Sequence, residues 1–232
     1  MWNRWREENL RTQPDLSRVD LTGAALAGAN LAGADLTGTN LSRADLSRAD
    51  LHKAELGEVK LREADLRRAD LSGANVFKGD LFGADLRDAH LVGAYLGEAS
   101  LGGAVLCRAD LGGVCLSRSN LAGADLTGAD LTGTDLRRAN LGKARLKGAR
   151  LSDTSLTGVN LSGADLEKAN FEGADLTGAR VAGIANWRSI SGIRLANIHA
   201  LRDAPEGFVE WAGKQGAVSV KSEAAWQELK GG

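Results

Sequence analysis

The side chains in this sequence that could bind a metal or move a proton are three histidines, two cysteines and a long series of aspartates. A zinc centre needs three or four His, Cys or carboxylate ligands on one ion, and a nucleophile needs a base beside it. His52, His90 and His199 are scattered, as are Cys107 and Cys115. The sequence holds no nucleophile elbow, phosphate loop or paired Cys/His motif. The aspartates are different, because they keep a fixed interval. Asp50, Asp70, Asp110 and Asp130 stand twenty residues apart or a multiple of it, in register with Asn30, His90, Arg150 and Asn170. Such a column offers a basic partner a negative stripe, provided some backbone brings every twentieth residue into line.

That backbone is legible in the leucines. Leu recurs at every fifth position from Leu16 to Leu176, with only Val76 and Phe171 substituting and Val181 closing the run, giving 34 pentapeptides over residues 14–183. Two residues before each centre stands Ala in 24 of 34 units, and just before it Asp in 15 and Asn in 7. A five-residue step turns an α-helical side chain by roughly 140°, so no apolar stripe forms. On a straight strand an odd step sends successive leucines to opposite faces. The pattern is coherent only if the chain turns a corner once per pentapeptide, pointing every Leu and Ala at one axis. The corner residue is Gly in 18 units and Arg, Lys, Glu or Asp in 16, which predicts a mixture of two turn types, only one of them needing positive φ.

Units such as Ala34-Asp35-Leu36-Thr37-Gly38 and Ala129-Asp130-Leu131-Thr132-Gly133 resemble the pentapeptide repeat family, A(D/N)LXX. The resemblance implies an all-β solenoid, a right-handed, quadrilateral parallel β-helix with four pentapeptides per coil. On that geometry the repeats make about 8.5 coils and a rod roughly 40 Å long. The family's best-understood members resemble a DNA duplex and bind type II topoisomerases such as gyrase, inhibiting them or protecting them from poisons. A duplex of that length carries roughly 24 negative charges, whereas the repeats hold 20 basic and 23 acidic residues. Only a single face could act as a charge mimic. The unbroken frame also lacks the projecting loops of some gyrase-protecting members.

Assigning the units to four faces gives the one bearing the aspartate column a charge of −4, against −2, +2 and +1 for the others. His52 and His90 fall on that face about 10 Å apart, too far for one metal ion. Cys107 and Cys115 fall on opposite faces, excluding a disulfide. A rod filled by Leu and Ala leaves no substrate cavity, so no enzyme, cofactor or metal is expected and function belongs to the exterior. Two surface features stand out as partner-binding candidates: the column Asp50, Asp70, Asp110 and Asp130, and the aromatics Phe77, Phe82 and Tyr95 with Val92 and Lys78 nearby. Each has a bland reading beside it, Asx-type bonds to the backbone for the aspartates and stacking on neighbouring coils for the rings.

Terminal coils expose unpaired backbone, so caps are expected. The sequence divides into an N-terminal helical cap (1–13), the β-helix (14–183) and a C-terminal cap with a degenerate coil and two short helices (184–232). Capping falls to Trp2, Trp5 and Leu10 on a helix from Asn3 to Leu10, and to Phe208, Trp211 and Trp226 on helices from Pro205 to Gln215 and Ser222 to Leu229. The chain is then a monomer, or a dimer through the C-terminal module. With 29 basic against 30 acidic residues, a nucleic-acid or membrane-surface binder is not expected. The absence of a long apolar run or an apolar signal core, and the use of only two cysteines, point to the cytoplasm. Two readings remain: a binder of type II topoisomerase, or a general interaction rod with another protein partner.

Overall fold

The computed structural model describes residues 2–9 and 12–231. Leu10, expected over the first coil, lies outside them. From Asp15 to Asp165 each residue preceding a centre pairs in parallel with the one twenty residues later, in an unbroken series ending at Asp165 with Ala185. Four pentapeptides therefore complete one turn. The chain has four ladders, and we number its faces by them: the first through Asp15 and Asp35, the second through Asp20 and Asn40, the third through Ala25 and Asp45, the fourth through Asn30 and Asp50.

One unit shows how the backbone is satisfied. Leu36 N–H donates to Glu55 O (2.7 Å) and Gly38 N–H to Gly57 O (2.8 Å) in the next coil, while Asn40 N–H donates to Val19 O (3.0 Å) in the previous one. Thr39 N–H closes the corner on Leu36 O at 3.0 Å, and Thr37 N–H is taken by Asp35 Oδ1 at 2.9 Å. No amide of residues 36–40 is left without an acceptor, as a packed backbone requires. The leucine centres from Leu31 to Leu176 and the intervening alanines are at most a few per cent exposed. Thr39, Thr134 and Thr154, which replace Ala inside the rod, donate to the carbonyls of Leu16, Leu111 and Leu131 at 2.6–2.7 Å. Gly79 stands where Ala is usual because the centre before it is Val76. A Cβ there would meet Val76 Cγ1 at 2.8 Å.

The corners correct the expectation of two turn types. Every corner from residue 18 to residue 183 has positive φ, whether it is Gly (Gly38, 66°) or not (Arg18, 57°; Lys53, 54°; Asp88, 58°). With the preceding residue on the negative side, the sign pattern is that of a type II turn throughout. The cause is non-local: the corner N–H must reach a carbonyl one coil away, as Arg18 reaches Thr37 O at 2.9 Å, and this overrides the residue's own preference. Left-handed backbone costs a non-glycine residue about 1–2 kcal/mol, more than the roughly 0.4–1 kcal/mol by which glycine loosens the unfolded chain. Lys53→Gly should therefore raise stability by about 0.5–1 kcal/mol in urea titration. A lowered midpoint would contradict the geometry.

After residue 185 the register shifts. A 3₁₀ turn at Trp187–Ser189 adds two residues, and pairing resumes at an offset of twenty-two, Asn170 with Gly192 and Asp175 with Asn197. Three helices flank the ladders: α1 (Trp2–Glu8), α2 (Phe208–Lys214) and α3 (Glu223–Gly231). α2 starts three residues later than predicted. Pro205 opens a turn instead, in which Phe208 N–H donates to Pro205 O at 3.0 Å and Gly207 sits at φ 77°.

Candidate interaction surface

The aspartate column lies on the fourth face, and its carboxylates have local work. One oxygen of each accepts from the amide two residues on: Asp50 from His52 (3.1 Å), Asp70 from Ser72 (2.9 Å), Asp110 from Gly112 (3.1 Å) and Asp130 from Thr132 (3.0 Å). Asp50 also meets His52 Nδ1 at 2.6 Å, and Asp130 is paired with Arg150. His90 interrupts the series between Asp70 and Asp110. The column is turn chemistry with Arg150 as its one paired arginine, as the Asx reading expects, and a poor imitation of a phosphate row.

The same bonds recur on other faces and govern titration. The Arg67 side chain beside Asp65, and Arg137 beside Asp135, hold those carboxyls below the ordinary aspartate value. At Asp130 burial, which would raise it, is outweighed by hydrogen bonds from Arg150 and Thr132. A folded pKa below the unfolded one contributes stability that is complete above the unfolded value and is lost as pH falls through the folded one. Melting temperature should hold level from neutrality to about pH 5 and decline below about pH 4. A circular-dichroism melt unchanged at acid pH would contradict this.

Of the three aromatics, the structure brings two together. Phe77 and Tyr95, eighteen residues apart, stack on the first face with ring centroids 5.5 Å apart and planes inclined by 24°. The Tyr95 ring lies over Gly97, where a Cβ would meet it at 3.1 Å. Lys78 Nζ sits 5.1 Å from the Phe77 centroid. Phe82 belongs to the second face, lies over Gly102 and carries the Arg62 guanidinium 4.8 Å from its centroid. Stacking on the next coil is thus real, yet Tyr95 and Phe82 remain 44% and 45% exposed. Arg118 and Arg138 border the Phe77–Tyr95 pair in a shallow depression.

His90 and His52 stand on the fourth face, Cys107 on the third and Cys115 on the first; both thiols are free. Burial pushes the Cys107 thiol up, which makes it less reactive. Among the described residues no His, Cys, Asp or Glu are grouped to hold a metal ion, and no helix is long and apolar enough to cross a membrane.

The cap residues act differently from the expected apolar lids. At the first coil Trp2 Nε1 donates to Asn30 O (2.7 Å), Asn3 Oδ1 accepts from Asn30 N–H (2.8 Å), and Arg6 donates to Ala32 O (2.7 Å). Further along the rod those backbone positions are held by an adjacent coil. α1 replaces a missing strand with side chains, and its buried member is Arg6; Trp5 is 38% exposed and stacks on Trp2. At the other end Trp187 is the centre of the cluster, 5.4 Å edge-on from both Phe208 and Trp211. Trp226 is buried along the flank and not over the end. Its Nε1 donates to Leu195 O at 2.8 Å, and α3 is pinned by Lys230 to Asp153 and Gly173 O. Asn3 and Arg6 escaped the sequence reading, in which Trp187 figured only as one of five tryptophans outside the repeats. The one visible signal was the position of Trp187 within the degenerate coil.

The family described as Pentapeptide repeats matches in eight copies, over residues 15–52, 44–88, 84–121, 115–153 and 154–183. HetL, a pentapeptide repeat protein involved in heterocyst differentiation regulation in the cyanobacterium Nostoc sp. strain PCC 7120, is 34% identical over 82% of this chain and 92% of its own, with a TM-score of 0.38. A trypsin-treated form of QnrB1, a plasmid-mediated fluoroquinolone resistance protein, is 21% identical over 85% of this chain and 95% of its own, with a TM-score of 0.64. A second trypsin-treated form gives 18% identity, 94% and 96% coverage and a TM-score of 0.61. No protein in a search of curated sequences matches.

Proposed function

Since the chain belongs to the pentapeptide repeat family, we propose that it is a non-enzymatic protein-binding solenoid that works through its first face, with type II topoisomerase the named partner to test. The family makes the backbone a right-handed β-helix. We read the finer architecture as about 8.5 coils closed by helices at both ends, with 14–183 as the repeat body between caps 1–13 and 184–232.

One observation carries the reading: the stacked Phe77–Tyr95 pair, half exposed on a rod whose core side chains are almost wholly buried. The cavity among the terminal core residues measures about 10 Å³, which admits no substrate. Exposed aromatics bordered by arginines are the composition of interaction hot spots. The likeness to a fluoroquinolone resistance protein supports the topoisomerase as partner. The locally satisfied aspartates favour contact through rings over mimicry of DNA charge. The other partner, a protein unrelated to topoisomerases, would use the same face. A cytoplasmic setting suits the two free thiols, and the chain acts as a monomer or as a dimer through α2 and α3.

The test is supercoiling by purified gyrase with and without a fluoroquinolone. Micromolar protein is expected to inhibit the enzyme or restore it in the presence of drug, and Phe77→Ala/Tyr95→Ala should weaken the effect by about tenfold or more. No effect at that concentration removes the topoisomerase. Pull-down of another partner, unchanged by the double variant, would remove the aromatic face.

A further inference from the structure

On the third face, opposite the aromatic pair, an open depression of about 610 Å³ is lined by Arg48, Arg67, Arg68, Arg87 and Arg108, with Asp88 among them. Two columns of cations run side by side along the rod. Arg67 and Arg87 are oriented from within by Asp65 and Asp85, each at 2.5 Å, which leaves other N–H groups of each fork unused. Arg48, Arg68, Asp88 and Arg108 form the corner column, spaced by twenty residues and all left-handed at φ 57–59°. In it only Arg108 finds an acid, Asp88 at 2.7 Å. Arg48 and Arg68 are neighbouring like charges, about 4.8 Å apart by ladder spacing, and neither makes an ion pair among the described residues.

What sets this corner apart from the others is the number of arginines, five around one depression. Elsewhere on the same corner stand Gly28, Gly128 and Gly148, which adopt the conformation without strain. On the first face the corner residues Glu58, Lys78, Glu98 and Arg118 alternate in sign and Glu98 pairs with both Lys78 and Arg118 at 3.9 Å, with Arg138 following one coil beyond Arg118. The column is strained throughout and self-repelling between Arg48 and Arg68; Asp88, the next residue along, attracts Arg68 but is hydrogen-bonded to Arg108.

We propose that this arginine-lined corner docks a short acidic segment of a partner protein in extended form. From Arg48 to Arg108 the groove spans three coil steps, about 15 Å, the length of four or five extended residues. Arg forks are suited to paired contacts with carboxylates. A nucleic-acid duplex is disfavoured, because it would overhang the groove onto a chain of net charge −1 whose adjoining fourth face is acidic. The proposal is independent of the aromatic face.

The experiment is fluorescence anisotropy of the full chain with a fluorescein-labelled deca-glutamate peptide at physiological ionic strength, beside an equally labelled 20-base-pair duplex. Glycine fits the corner backbone, so Arg48→Gly/Arg68→Gly should keep or raise the melting temperature, and loss of binding then reports the site. Peptide affinity is expected to fall by about tenfold or more, while Arg18→Gly/Arg43→Gly, at corners of the first and second faces, leaves it unchanged. Absence of peptide binding, equal loss in both variants, or tighter binding of the duplex would overturn the proposal.

Discussion

Leu86→Ala is expected to lower the free energy of unfolding by about 3–5 kcal/mol, the upper part of the range for such truncations. Leu86 is fully buried, with Leu66 and Leu106 in the same position one coil below and one above. A globular core relaxes around a missing isobutyl group by shifting helices or strands. Here the backbone cannot shift: Leu86 N–H is tied to Val105 O at 2.7 Å and Leu66 N–H to Asp85 O at 2.8 Å, and those ladders fix the cross-section of the rod. The cavity persists, and its cost grows with its volume. Because each coil touches only its neighbours, the damage should also be local, with new proteolytic nicking near residue 86 before either end is attacked. Leu86→Asp, which buries an unpaired carboxylate, should leave no folded rod. A loss below about 1 kcal/mol for the alanine variant, read from urea unfolding, would mean that the column is not dry and close-packed.

Asn3→Ala/Arg6→Ala should cost about 2–4 kcal/mol and convert the chain to larger species in gel filtration relative to the parent. Arg6 is only 7% exposed although charged, and its two terminal nitrogens are spent on Thr12 O and Ala32 O. Removing them leaves two part-buried carbonyls without their donors, the expensive half of losing a hydrogen bond. Losing Asn3 frees the Asn30 N–H as well. The first coil then presents a row of open backbone groups, the template on which another chain adds. Trp5→Ala is the contrast: exposed and stacked only on Trp2, it should cost under about 1 kcal/mol and leave the mass unchanged. A double variant with the parent's mass and melting temperature would contradict the capping account.

What the sequence revealed and what it hid divide by the range of the interaction. The leucine interval and the Ala two residues earlier express one geometric demand repeated in every unit, and that demand is visible in any unit. The corners were hidden because Arg68 or Glu98 read alone argue against positive φ. Only the bond from the corner N–H to the next coil, as from Arg68 to Arg87 O at 3.0 Å, imposes it. The cap helices were legible, but their contacts were hidden for the same reason. Trp2 meets Asn30 across 28 residues and Lys230 meets Asp153 across 77, and the five-residue pattern carries no sign of either pairing. On the surface, the pairing of Phe77 with Tyr95 follows from the twenty-residue turn, while the arginine corner was masked by the aspartates interleaved with it, which left the third face nearly neutral in a simple sum.

Hydrogen exchange resolved amide by amide tests the central claim most directly, namely that the chain bends once in every five residues around a closed core. In each unit away from the terminal coils four backbone amides are bonded to backbone carbonyls within or between coils, as at residues 36, 38, 39 and 40. The fifth, as at Thr37, is bonded only to an exposed aspartate oxygen. Through the repeats exchange should therefore be slow at four positions and fast at one, with a strict period of five and the slowest amides in mid-rod. Protection in continuous stretches as in helices, alternating protection as at an exposed strand edge, or rapid exchange of the mid-rod leucine amides would contradict it.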